Sequence, residues 1–162
     1  MSAEAIIDLW ALTGGPAVVG GQTARLLEPG GSQLQAQDLQ LLQTMLVPAR
    51  DGGPVVVVTA PGSALNPGRW YPRRVEASLE RLMDTALVLE ADGAEQTLAL
   101  VESMGWSESN KPGFVQVTLG DGMVELFRQK RLRAWEGKMP DLYLRVHLPG
   151  TEPPLRRDKQ RR

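Results

Sequence analysis

The chain has 162 residues, 42% of them hydrophobic and 23% charged, with no cysteine, one histidine and a formal net charge of −1. That length is about one domain's worth, enough to bury a core without covalent staples. The lack of cysteine excludes disulfides, thiolate zinc sites, iron–sulfur clusters and cysteine nucleophiles, and a single histidine excludes any site that needs two imidazoles.

The charge is unevenly spread. Residues 1–120 hold 7 lysines and arginines against 13 acids, whereas residues 121–162 hold 11 against 6. Near-neutrality therefore hides an acidic body and a basic C-terminal quarter. Glu4 and Asp8 stand where a signal peptide carries positive charge, and no apolar run approaches the roughly 18 residues of a membrane span, so the expectation is a cytoplasmic protein without membrane insertion. Arginine outnumbers lysine 14 to 4, a bias that suggests a GC-rich bacterial genome.

In chain order, Ala3, Ile6, Ile7 and Trp10 recur at i, i+3, i+4, i+7 and predict a first helix with Ser2 as N-cap, stopped at Gly14-Gly15-Pro16. Ala17–Val19 and Ala24–Leu27, parted by Gly20-Gly21, read as a hairpin or bulged strand pair. Ser32 and Gln35 have capping-box spacing ahead of a second helix, with Leu34, Leu39, Leu41, Leu42, Met45 and Leu46 apolar and Gln33, Gln37, Gln40 and Gln43 on the wet side. Pro48 and Asp51-Gly52-Gly53 end it, and Val55–Val58 reads as a strand buried on both faces. After a loop over residues 61–70, Pro72 opens a third helix with Val75, Leu79, Leu82 and Ala86 inward.

Leu87–Glu90 predicts a strand, Asp92-Gly93 a turn, and Ala94–Met104 a fourth helix on Leu98 and Val101, with Gly105 at its C′ position. From there the period is two. Phe114–Leu119 and Met123–Arg128 flank Gly120-Asp121-Gly122 as a hairpin. Along Leu142–Leu148, Leu142, Leu144, Val146 and Leu148 face one way and Tyr143, Arg145 and His147 the other. Residues 151–162, with two prolines and five cations, predict a disordered basic tail. The expectation is one α+β (mixed α/β) domain over residues 1–150. It has about four helices packed on a mixed sheet, with an antiparallel C-terminal hairpin and strand.

Motifs for chemistry are few. Gly15 to Gln22 has the outer spacing of a P-loop, but Gly21 stands at the lysine position and Gln22 at the Ser/Thr position, so the glycines read as turn formers. No Gly-x-Gly-x-x-Gly and no Gly-x-Ser-x-Gly occurs, and no cofactor is expected. His147 is the one conventional general base, on the polar face of a strand beside Tyr143 and Arg145, where an ordinary surface histidine also sits. Glu76, Glu80 and Asp84 share a helix face, a pattern that suits solvent or a partner's basic groove.

Two clusters suit binding. Arg69, Trp70, Tyr71 and Arg73, with Glu76, Glu80 and Trp106, combine aromatic rings at loop edges with mixed charge and form the candidate partner-binding surface. Arg128, Lys130, Arg131 and Arg133 beside Trp135, with Arg156 and Arg157 in the tail, match what a phosphate backbone and a stacked base require. The pI of 5.9 weighs against a dedicated nucleic-acid binder.

Asp8-Leu9 through Gly14 and Pro16, a hairpin, and a helix from Leu34 past Asp38 resemble the N-terminal domain of secretion and pilus-motor ATPases over about 40 residues. Trp10 stands where that pattern has histidine, Gly20 stands near its usual arginine, and no Walker motif follows, so the resemblance implies a motor-associated adaptor. Leu98–Val117, with Gly105-Trp106 between its elements, is similar to small secretion-chaperone-like folds. The function expected is a non-enzymatic cytoplasmic protein–protein interaction module (adaptor, regulator or secretion-chaperone-like). A second copy of the chain is a further candidate partner, and accessory nucleic-acid binding through residues 128–135 and the tail is the alternative.

Overall fold

The computed structural model describes residues 6–28, 33–50, 54–59, 72–106, 114–136 and 144–147, and of residues 56, 58, 59, 72–76, 106, 114, 115 and 144–147 the backbone only. Among them four helices alternate with strands in an α+β architecture.

Strand β1 (Ile7–Asp8) runs straight into helix α1 (Leu9–Leu12), because Asp8 Oδ1 accepts from the N–H groups of Trp10 (3.1 Å) and Ala11 (3.4 Å) and starts the helix there. The expected first helix thus begins at Leu9, with Ile7 in a strand, and Ser2 lies outside the described residues. Strands β2 (Ala17–Val19) and β3 (Gln22–Leu27) form the expected hairpin. Gly20 (φ 62°) and Gly21 (φ 84°) supply the two positive φ angles of a type I′ turn.

Helix α2 (Ala36–Ala49) carries a capping box, but three residues later than expected. Gln35 is the N-cap and Asp38 the reciprocating residue, and Ser32 lies outside the described residues. Leu39, Leu41, Leu42, Met45, Leu46 and Ala49 are all fully buried. They are spread around the helix, because α2 touches α1, α3, α4 and strands β4 (Val55–Thr59) and β10 (Leu144–His147). Pro48 sits in its last turn.

Helix α3 (Pro72–Met83) begins at the expected proline, with Leu79 and Leu82 in the core. Strands β5 (Ala86–Ala91) and β6 (Ala94–Ala99) then pair across Asp92 (φ 54°) and Gly93 (φ 82°), a second type I′ turn. The expected helix over Ala94–Met104 is therefore two strands, β6 and β7 (Val101–Trp106), and Gly105 lies inside β7. Strand β8 (Phe114–Leu119) pairs antiparallel with β7, not with residues 123–128 as the expected hairpin has it.

Met123–Arg128 is not a strand but part of helix α4 (Asp121–Arg128), in which Met123, Leu126 and Phe127 recur at i, i+3, i+4 and turn toward the core. Gly120 begins it with φ −63°. A Cβ there would lie 2.0 Å from the Ala99 carbonyl oxygen, so the close approach of α4 to β6 requires glycine. Strand β9 (Leu132–Arg133) returns to lie parallel to β1.

The order β2-β3-β5-β6 makes one antiparallel sheet and β10-β4-β8-β7 another; the β1–β9 pair is parallel. Taken in chain order, the strands of the second sheet stand as fourth, first, third and second, with α3 crossing between the first two, which is a split βαβ arrangement. Its Val55, Val57 and Val117 share one core with α2 and with Ala24, Leu87 and Leu89 of the first sheet. In β10, His147 is level with Val56, and Val146 with the buried Val57. No helix among the described residues is long and apolar enough to cross a membrane.

Candidate functional site

Much of the expected partner surface falls outside the described residues: Arg69, Trp70 and Tyr71 do, as do Arg156 and Arg157. Arg73, Glu76, Trp106 and His147 are described by backbone alone. Trp106 is the last residue of β7, level with Val115, rather than a residue following a helix cap. Glu80 is exposed on α3 beside the exposed Asp84. Gly20 and Gly21 are turn glycines of a hairpin and precede no helix, so the P-loop spacing has no phosphate cradle behind it.

The basic run from Arg128 to Arg133 is divided by the fold. Arg128 pairs with Glu125 and donates to the Arg50 carbonyl at 3.1 Å, closing the end of α2. Arg133 lies opposite Asp8 in the β1–β9 pair, with its guanidinium 3.1 Å from Asp8 and 2.9 Å from Glu136. Both cations are spent on the protein itself. Lys130 and Arg131 are exposed, and neither has an ion-pair partner among the described residues.

Lys130 is also held in a costly conformation. The N–H of Lys130 bonds to Phe127 (3.0 Å) and that of Arg131 to Leu126 (2.8 Å), which is a Schellman motif closing α4. Its left-handed position usually belongs to glycine, yet Lys130 occupies it at φ 62°. The motif turns the chain into β9, where the Arg131 carbonyl accepts from Ile7 at 2.9 Å.

An aromatic pair stands at the α1 side of the same β1–β9 seam. The rings of Trp10 and Trp135 lie 5.3 Å apart at 58°. Trp135 is half-buried, and the Gln43 carboxamide oxygen accepts from the backbone N–H groups of Ala134 (2.8 Å) and Trp135 (3.3 Å). Its indole N–H has no acceptor among the described residues. Trp10 packs against this ring and is 41% exposed, as is Ile6 just before β1. The α1–β1–β9 region thus exposes apolar surface at Trp10 and Ile6, and exposed cations at Lys130 and Arg131, which lead into β9.

The i, i+3, i+4, i+7 spacing places Trp10 on the buried face of a longer helix, whereas in the fold it is exposed. The signal that corrects it is Asp8 as N-cap followed by Leu9 and Leu12, which turns those two leucines inward and Trp10 outward. Gln43, read as a wet-side residue, is the support of Trp135.

Two other polar features lie elsewhere in the fold. Fully buried Asp38 accepts from the Gln35 N–H (2.8 Å), Ser78 Oγ (2.5 Å), Arg81 Nε (2.7 Å) and Arg81 Nη2 (2.9 Å). The Asp38 hydrogen bond holds Arg81 more firmly protonated than an ordinary arginine, against the effect of burial. Every acceptor position of the carboxylate is filled, so the cluster ties α2 to α3 and offers nothing to a ligand. On the second sheet, Ser103, Met104, Gly105, Gln116 and Thr118 line a shallow depression of about 310 Å³ without a titratable group.

No family model, no curated protein and no solved structure matches the chain.

Proposed function

We propose that the chain is a non-enzymatic protein-binding module that docks an acidic, partly apolar segment of another protein on the α1–β1–β9 corner, in a bacterial cytoplasm. The observation that carries this reading is Trp10, 41% exposed against the ring of Trp135 at the β1–β9 seam, which the chain enters through two exposed cations, Lys130 and Arg131, with no ion-pair partner among the described residues. Tryptophan and arginine are the side chains that most often dominate binding energy, and a ring braced from below loses little freedom on docking. Lys130 adds weight, since a charge is kept there at a position glycine fills at lower cost. The cysteine-free composition suits a reducing compartment.

The test is affinity capture of the full chain from native lysate, with and without nuclease, repeated with Trp10→Ala and with Arg131→Glu. A protein recovered after nuclease treatment, and lost with both variants, is the expected result. Recovery that depends on nucleic acid, or an unchanged partner set with Trp10→Ala, overturns the reading. The nucleic-acid alternative is the weaker, because Arg128 and Arg133 of its four-cation cluster are already paired within the fold.

A further inference from the structure

Exposed sheet edges invite pairing with another strand, and natural proteins guard them with short strands, bulges, lysine or proline. Strand β2 is three residues long, and β7 carries a register irregularity between Val101 and Ser103. Strand β6 has none of these guards. Its Ala94-Glu-Gln-Thr-Leu-Ala99 pairs with β5 in unbroken register, with every residue but Leu98 exposed.

Which of its backbone groups point outward follows from the turn. In a two-residue hairpin the residues flanking the turn form a hydrogen-bonded pair, here Ala91 with Ala94, and such pairs alternate along the ladder. Ala94, Gln96 and Leu98 therefore direct their N–H and C=O groups at β5, whereas Glu95, Thr97 and Ala99 direct theirs to the open edge. Ala99 is not available, because its carbonyl oxygen lies against Gly120. Glu95 and Thr97 remain.

We infer that β6 is a self-pairing edge, at which two copies of the chain join β6 antiparallel about Gln96 into one continuous sheet. In that register Glu95 of each copy forms a hydrogen-bonded pair with Thr97 of the other, giving about four backbone hydrogen bonds from the open groups alone. Glu95 meets a hydroxyl directly opposite and not its own copy, and its charge is already matched by Arg25 at 3.1 Å. Leu98, half-buried at the foot of α4, meets Ala94 of the other copy, and the pairing ends one residue before Ala99, whose carbonyl Gly120 covers. Centring the axis on Thr97 instead would require the covered carbonyl of Ala99. The edge shares no residue with the Trp10 corner and stands or falls separately.

The absence of cysteine makes the test direct. Gln96→Cys places the thiols of two copies opposite each other at a non-hydrogen-bonded pair, where Cα atoms lie about 4.5 Å apart, within disulfide reach. The full chain with this substitution is expected to oxidise to a covalent dimer on non-reducing electrophoresis, faster than Glu95→Cys or Thr97→Cys. In sedimentation velocity the native chain is expected to show concentration-dependent dimerisation. Thr97→Pro removes only an outward N–H and should weaken it by about tenfold or more. Gln96→Lys keeps every bond to β5, opposes two like charges at the axis, and should also shift the chain to monomer, with its melting temperature unchanged at dilutions where the native chain is itself monomeric. A native chain monomeric up to about 1 mM, where even a millimolar Kd would show, overturns the inference. So does cross-linking that is most efficient through Thr97→Cys.

Discussion

Asp38→Asn is the substitution whose cost the geometry fixes best. Asp38 Oδ2 accepts from the Gln35 N–H and from Arg81 Nε, while Oδ1 accepts from Ser78 Oγ and Arg81 Nη2. Both oxygens therefore receive one prong of the guanidinium fork, and an asparagine of the same shape must turn its NH₂ group against one of them. With the oxygen at the Oδ2 position the cap and Nε contact survive and Ser78 reverses to accept, but Nη2 then faces a donor. Loss of one charge-assisted bond and a donor–donor contact cost about 2–4 kcal/mol, the lower end favoured because Arg81 retains 21% exposure and reaches water. For a chain of this size that is a fall in Tm of roughly 4–16 °C. Asp38→Ala also forfeits the cap, worth about 1 kcal/mol more. The matched replacement Asp38→Leu with Ser78→Ala and Arg81→Met removes all partners together and should lie much nearer the native stability. Urea unfolding monitored by tryptophan fluorescence measures the series. A loss below about 1 kcal/mol for Asp38→Asn would refute the reasoning that this ion pair locks α2 to α3.

The glycines at the start of α4 should differ sharply. Gly120→Ala drives a Cβ to 2.0 Å from a backbone oxygen and should cost about 3 kcal/mol or more, whereas Gly122→Ala meets the movable end of the Leu98 side chain at 2.5 Å and should cost about 1 kcal/mol in the same assay. Lys130→Gly relieves a left-handed side-chain conformation and is expected to stabilise the fold by about 0.5 kcal/mol while weakening partner capture a few-fold; calorimetry and a binding titration read the two effects separately. Arg133→Ala removes the ion pairs to Asp8 and Glu136, which are partly open to water, and should lower stability by about 0.5–1 kcal/mol, whereas Arg131→Ala should leave stability unchanged within about 0.5 kcal/mol and act on binding.

The α+β class, the second and third helices, the first hairpin and the Val55 strand were legible because their signals are local: apolar residues at helical spacing, a glycine pair, a β-branched run. The two elements read as the wrong type were decided by backbone angles that residue names leave open. Asp92-Gly93 takes positive φ at both residues and folds β5 back onto β6, overriding the helix-forming composition of Ala94–Leu98. Gly120-Asp121-Gly122 looks like a stronger turn, yet Gly120 has an ordinary φ and is glycine only because the Ala99 carbonyl leaves no room for a Cβ. That contact joins two elements a sheet apart, and no window along the chain contains it. The candidate site follows the same logic. The run Arg128 to Arg133 is visible as a block of positive charge, but Asp8, which claims Arg133, is 125 residues away, and the Arg50 carbonyl that claims Arg128 is 78 away. Charge counting finds where cations cluster; the long-range pairings decide that Lys130 and Arg131 are the ones left without an ion-pair partner among the described residues, and the cap at Asp8 decides that Trp10 faces out.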